Sequence, residues 1–213
     1  MLIKDLTRKL SMALIILTVS TFAHSNQSWK FKVFLDEQEI GEHTFKVASY
    51  NNKTHVTVNA EFDVYFLFIN AYSYRHTNYE VWDGQCLQSV RSKTSDNGEE
   101  LYVQGEYASE TFNIKTPTGE HSAEGCLKTF AYWDPTFLTS QHLLNAQTGE
   151  ITPVTVENLG EEMIMVRSKL TAATHYRLTT DDYIIDLWYS NNNEWLALNS
   201  TTNSGSVLRY KIQ

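Results

Sequence analysis

Residues 62–81, FDVYFLFINAYSYRHTNYEV, are the stretch on which the fold turns. Phe62, Val64, Phe66, Phe68, Tyr72, Tyr74 and His76 share one parity, while Tyr65, Leu67, Ile69 and Ala71 occupy the other. A period of two is that of a β-strand, whose successive side chains point to opposite faces. Both faces carry apolar residues, so the run is expected to be covered on both sides, or to line a cavity with one face and pack with the other. Trp82-Asp83-Gly84 supplies a turn that ends it.

The same alternation extends outward in both directions. Trp29, Phe31, Val33 and Leu35 alternate with Lys30 and Lys32, a polar reversal follows at 36–39, and residues 40–49 alternate again. That pattern is an antiparallel hairpin, and residues 54–60 after the Asn51-Asn52-Lys53 turn continue it as a meander. Downstream, residues 86–93, 100–106 and 111–115 read as strands, with Asp96-Asn97-Gly98 as a hairpin reversal. Further strands are expected near 151–157, 162–169, 175–179, 184–190, 195–200 and 207–212, separated by Asn-, Asp- and Gly-rich turns. One helix is predicted over 135–144: Asp134 can cap it, Pro135 suits its first turn, and Leu138, His142, Leu143 and Leu144 fall on one side. About a dozen short strands and one short helix make an all-β protein, a curved antiparallel sheet forming a partly closed barrel or roll, with a two-sheet sandwich as the competing architecture.

The first 23 residues have a different character. Lys4, Arg8 and Lys9 precede an apolar run at 10–22 and a Thr21-Phe22-Ala23 triplet, the pattern of a cleavable secretory signal peptide. The run is too short for a membrane span, which needs about 20 residues. The expected organisation is therefore a signal at 1–23 and one domain at 24–213, periplasmic or secreted, with no stable membrane span after cleavage. The 213-residue chain has 17 basic and 25 acidic residues, net −8. Loss of three basic residues and Asp5 with the signal leaves 14 against 24, net −10. An acidic chain with no basic cluster excludes nucleic acid as a natural partner. Cys86 and Cys126 are the only cysteines, and in an oxidising compartment they are expected to form a disulfide stabilising the fold by about 4 kcal/mol.

No nucleotide loop, dinucleotide fingerprint, zinc-protease or serine-hydrolase motif occurs, and the histidines are scattered singly, so neither a metal nor a cofactor is implied. The candidate binding residues are Phe62, Phe66, Phe68, Tyr72, Tyr74, Tyr132, Trp133, Tyr176 and Trp188 as aromatic wall, with His76 as a polar contact. Catalysis by His76 with Glu80 or Tyr74 is the weaker alternative, and Arg177 and Asp186 are candidates for a strand-orienting pair. Aromatic residues beside a helix start, such as those at 130–133, equally serve to dock it on a sheet.

The segments VFLDEQEIGEHTFKV (33–47), YSYRHTNYEVWDGQCL (72–87), CLKTFAYWDP (126–135) and LLNAQTGEITPV (143–154), with the closing HYRL, DLWYS and LRYKI pieces, resemble a family of uncharacterised exported bacterial β-proteins classed as a domain of unknown function. The resemblance spans nearly the whole mature chain and carries no activity with it. It implies a roll or barrel similar to those of periplasmic lipid-handling proteins. Together these readings point to an exported protein that binds a hydrophobic or amphipathic small molecule such as a lipid. The alternative is a non-catalytic interaction or assembly protein of the cell envelope, showing an edge strand or apolar patch to a partner.

Overall fold

The structure is a computed structural model and describes residues 26–66, 68–202 and 205–213; the expected signal segment lies outside the described residues. The first half of the chain is an uninterrupted meander: β1 (Asn26–Leu35), β2 (Gln38–Tyr50), β3 (Lys53–Phe66), β4 (Ile69–Asp83), β5 (Cys86–Asp96), β6 (Glu99–Ala108), β7 (Thr111–Thr116) and β8 (Gly119–Glu124). A strap over residues 125–154 follows, holding the small pair β9 (His142–Leu144) and β10 (Ile151–Pro153). The second half is another meander: β11 (Thr155–Val166), β12 (Lys169–Thr179), β13 (Tyr183–Tyr189), β14 (Trp195–Thr202) and β15 (Val207–Ile212).

Antiparallel pairing of β15 with β1 joins the two meanders into one 13-stranded sheet, in the order β11-β12-β13-β14-β15-β1-β2-β3-β4-β5-β6-β7-β8. The sheet does not close, since β8 and β11 are its edges. It does curl: one buried cluster draws Phe31 from β1, Phe45 from β2, Trp82 from β4, Phe112 from β7, Leu178 from β12 and Trp195 from β14. Strands so distant in the ladder can share a core only if the sheet wraps around it. The strap links the two edges and contributes Leu127, Ala131, Phe137, Leu143 and Leu144 to that core. Phe31, Phe45 and Tyr132 all pack on the Trp195 ring, with centroids 4.3, 4.9 and 5.3 Å away.

The structure departs from the sequence reading in minor ways, with β8 unanticipated and the turn expected around 158–160 a bulge inside β11 whose reversal falls at Arg167 and Ser168, and in two ways that bear on the site. The run at 62–81 is not one strand but the end of β3, a reversal and most of β4, with Phe68 in the turn at φ 71°. No Gly, Asn or Pro marks the reversal, and a bulky residue seldom takes a positive φ, so parity alone could not reveal it. Facing is preserved because the register sets Phe62 opposite Tyr74 and Val64 opposite Tyr72. The second departure is the expected helix at 135–144, which is a 3-10 turn over Pro135–Thr139 followed by β9. Asp134 does cap it, accepting from the Thr136 N–H at 3.0 Å, but Ser140 is extended and ends it. Pairing of Leu143 with Thr152 and Leu144 with Ile151, together with the Leu144 N–H to Lys128 carbonyl bond, satisfies the backbone better than another helical turn. The cysteines form the expected disulfide, tying the start of β5 to the start of the strap.

Candidate ligand cavity

Between the curled sheet and the strap lies a cavity of about 270 Å³. Its axis is the inner face of β4. Alternation puts Tyr72, Tyr74, His76, Asn78, Glu80 and Trp82 on that face, and exposure falls along it from half-buried tyrosines to 8% at His76, 6% at Asn78, 3% at Glu80 and 1% at Trp82. The cavity is therefore open toward Tyr74 and closed at Glu80. His43 and Phe45 of β2, Tyr210 of β15, and Tyr132, Trp133 and Gln147 of the strap complete its walls.

The strap is held over the cavity by specific bonds. The Tyr189 hydroxyl donates to the Tyr132 carbonyl at 2.8 Å, and the Ser92 hydroxyl donates to the Ala146 carbonyl. At the open end the Tyr74 hydroxyl donates to Gln147 Oε1 at 3.0 Å, and Gln147 Nε2 donates to Asp96 Oδ2 at 3.3 Å. Gly149 sits where a Cβ would come within 2.4 Å of the Thr116 methyl, so the strap approaches β7 as closely as backbone allows.

The cavity is electrostatically quiet except at its floor. Among the described residues, no Lys or Arg lines it. Burial pushes the His76 imidazole down to about 4, and burial followed by repulsion from His76 takes His43 to about 3, so both rings are neutral at physiological pH. Burial likewise raises the Tyr74, Tyr132 and Tyr210 hydroxyls, which stay protonated. Glu80 is raised by burial, against hydrogen bonds from Asn78, Trp82 and Thr129 that favour its charged form. Asn78 Nδ2 and Trp82 Nε1 reach its two oxygens at 2.8 Å each.

Three buried side-chain polar atoms have no hydrogen-bond partner among the described residues: His43 Nε2, Asn78 Oδ1 and Trp133 Nε1. All three residues line this cavity. An unsatisfied buried polar group costs about 1–3 kcal/mol, so their gathering at one place is a property of the site, not of the core at large.

The candidate residues separate into those the structure brings together and those it does not. Tyr74, His76, Tyr132 and Trp133 line the cavity. Phe62 stacks on Tyr74 at 5.3 Å as a second layer, and Tyr72 lies on the same face nearer the open end. Phe68 is instead at the β3–β4 tip, 99% exposed, and the Phe66 side chain lies outside the described residues. Tyr176 packs in the main core against Tyr189, while Trp188 is on the opposite face of the sheet, stacked on His175 at 4.5 Å. His76 and Glu80 do not pair: four residues along one strand separate them by about 13 Å, and His76 Nδ1 bonds to Thr94 Oγ1 at 2.8 Å. His43, Asn78 and Tyr210 were not singled out by sequence, although Asn78 continues the parity of Tyr74 and His76.

Sheet, strap and cavity together define an open β-barrel-like protein with a pocket inside the curl. Residues 31–213 match a domain of unknown function, DUF6134, and the chain belongs to that family. A similar fold is seen in the crystal structure of a β-barrel-like protein of the domain of unknown function DUF1849 from Brucella abortus, with a TM-score of 0.64 at 12% identity over 87% of this chain and 94% of that one. Among proteins of curated function, none matches the sequence.

Proposed function

We propose that the protein is exported to the periplasm or beyond and binds a small amphipathic molecule in the cavity beneath the strap. The observation that carries this reading is the cavity itself, about 270 Å³ and walled largely by aromatic side chains, with polar side chains such as Tyr74, His76, Glu80 and Gln147 among its lining. The cavity has the volume of about nine waters, so it encloses a head and a short apolar part, while a full acyl chain extends past Tyr74. The test is expression of the full precursor, native purification and mass spectrometry of co-purifying small molecules. A stoichiometric amphiphile, absent from a folded Tyr74→Glu variant, is the expected result. An empty protein that takes up no amphiphile overturns the reading.

A second reading, an envelope interaction protein, is favoured by one feature. β11 is an edge strand among the described residues, and its hairpin with β12 exposes Met163, Met165 and Leu170 at 54, 66 and 56%. Met165 lies directly opposite Leu170, so the three form one apolar strip beside the sheet edge.

A further inference from the structure

The tip that joins β3 to β4 differs from every other described reversal between neighbouring strands of the large sheet. The others are built of polar residues, Gly or Pro, as at Asp36-Glu37, Asn51-Asn52, Asn97-Gly98 and Arg167-Ser168. At this one Phe68 is 99% exposed, Ile69 70% and Tyr65 53%. No charged residue occurs from Val64 through Tyr74. Phe68 is also held at φ 71°, where Gly or Asn would sit with less strain, so the turn keeps a bulky ring at a cost to folding. Beneath the apolar end lies a polar collar: Asp63 accepts from Arg75 at 2.7 Å and from Asn70 at 3.1 Å, and the Asp63–Arg75 pair offsets the charges nearest the tip.

We propose that this tip docks the protein on a lipid bilayer, with Phe68 and Ile69 entering the acyl boundary, Tyr65 at headgroup level and the Asp63–Arg75–Asn70 collar in water. The sequence of apolar, amphipathic and polar groups along the hairpin matches the depth profile of a membrane interface, where a tyrosine keeps its ring in the apolar layer and its hydroxyl wet. A second copy of the chain is the poorer occupant. The three side chains together expose roughly 400 Å², about half of the 800 Å² or so that each partner buries in a stable protein interface. A bilayer sets no such threshold, since each apolar side chain that leaves water contributes by itself. From Ile69 the strand β4 runs through Tyr72 to Tyr74, so the tip stands about 15 Å past the open end of the cavity, and docking brings that end toward the surface. Docking and ligand binding stand apart: a cavity that takes no ligand leaves docking intact, and a tip that does not dock leaves the cavity open to ligand.

Flotation with phosphatidylcholine vesicles tests this on the protein purified after expression of the full precursor. Vesicles without net charge suit an acidic chain, and the natural protein is expected to float with them. Raising salt from about 0.05 to about 0.5 M is expected to change the partitioning less than about twofold, because apolar burial carries it. Phe68→Asn removes the ring and suits the left-handed turn, so it is expected to weaken partitioning about tenfold while stability in urea is kept or rises; Phe68→Leu is expected to retain binding. Adding Ile69→Thr to Phe68→Asn keeps strand propensity and is expected to bring the loss to about a hundredfold. Should that double variant lose stability, Phe68→Asn alone decides. Vesicles that float no natural protein, or that float Phe68→Asn as well as the natural protein, overturn docking by the tip. A concentration-dependent dimer in sedimentation equilibrium that Phe68→Asn abolishes, with no vesicle binding, gives the tip to a second copy and overturns the lipid assignment.

Discussion

Two clusters of the same composition, Tyr74-Arg75-His76 on β4 and His175-Tyr176-Arg177 on β12, end in opposite environments. In the first, Tyr74 and His76 face inward and Arg75 faces out, bonded to Asp63 at 2.7 Å. In the second the middle residue is the inward one. Tyr176 enters the core, while His175 and Arg177 face out, where both contact Asp186, at 2.9 and 2.8 Å, and His175 also meets Glu162 at 3.0 Å. A shift of one residue in a period-two structure exchanges core for solvent. The difference teaches that residue type proposes a site in a β-protein, but facing decides it.

Removing the cover from the inward cluster breaks the contrast most. Cys86→Ser with Cys126→Ser is expected to cost about 4 kcal/mol in urea unfolding, and hydrogen exchange should rise in the strap while the β12–β13 ladder keeps its protection. Next, His76→Glu buries an uncompensated charge and is expected to cost about 3 kcal/mol at neutral pH, whereas His175→Gln on the outer face costs under about 1 kcal/mol; paired urea curves measure both. Acid sharpens the same distinction. The folded value of about 4 for His76 lies below the ordinary 6.5, so the unfolded chain takes up the proton first as pH falls. Its contribution is intact above about pH 6.5 and declines toward pH 4 by about 3 kcal/mol. His43 acts in the same direction, and Glu80, whose folded value is raised, opposes them because the folded state binds its proton first. Urea midpoints at pH 7 and pH 4.5 are expected to differ less in His76→Asn than in the natural protein, and more in Glu80→Gln. The smallest effect is expected where the clusters are alike: double-mutant cycles on Arg75–Asp63 and Arg177–Asp186 should each give about 0.2–1 kcal/mol, since both arginines are substantially exposed.

Much of the architecture was legible in the alternation. The hairpins at Asp36, Asn51, Gly84 and Gly98 carry residues that tolerate positive φ, and each falls at a strand reversal. The Cys86–Cys126 bridge and the Arg177–Asp186 pair were legible too. The β3–β4 reversal was not, because its residues are aromatic and aliphatic. The 135–144 segment has a cap, a proline and leucines at helical spacing, yet long-range pairing with Lys128 and Ile151 outweighs them. Composition assigns Tyr176 and Trp188 alike to an inner face; Tyr176 does pack on the core, but plain alternation along β13 turns Trp188 away from the side that Leu187 and Tyr189 share. The three unpartnered atoms lie on elements far apart in sequence, so only the folded chain brings them together.

The seam between β1 and β15 sets the order in which this molecule can be made. Each meander consists of neighbouring hairpins that need no distant partner, but Asp36 and Val207, 171 positions apart, must meet before the sheet is whole. Loop closure of that length is the slow event in a chain otherwise rich in local contacts. Until the last strand arrives, β1 and β14 both present open edges, one lysine-bearing and the other not. A chain stalled before residue 207 therefore exposes a second pair of sticky borders in addition to β8 and β11, and is the species most prone to self-association.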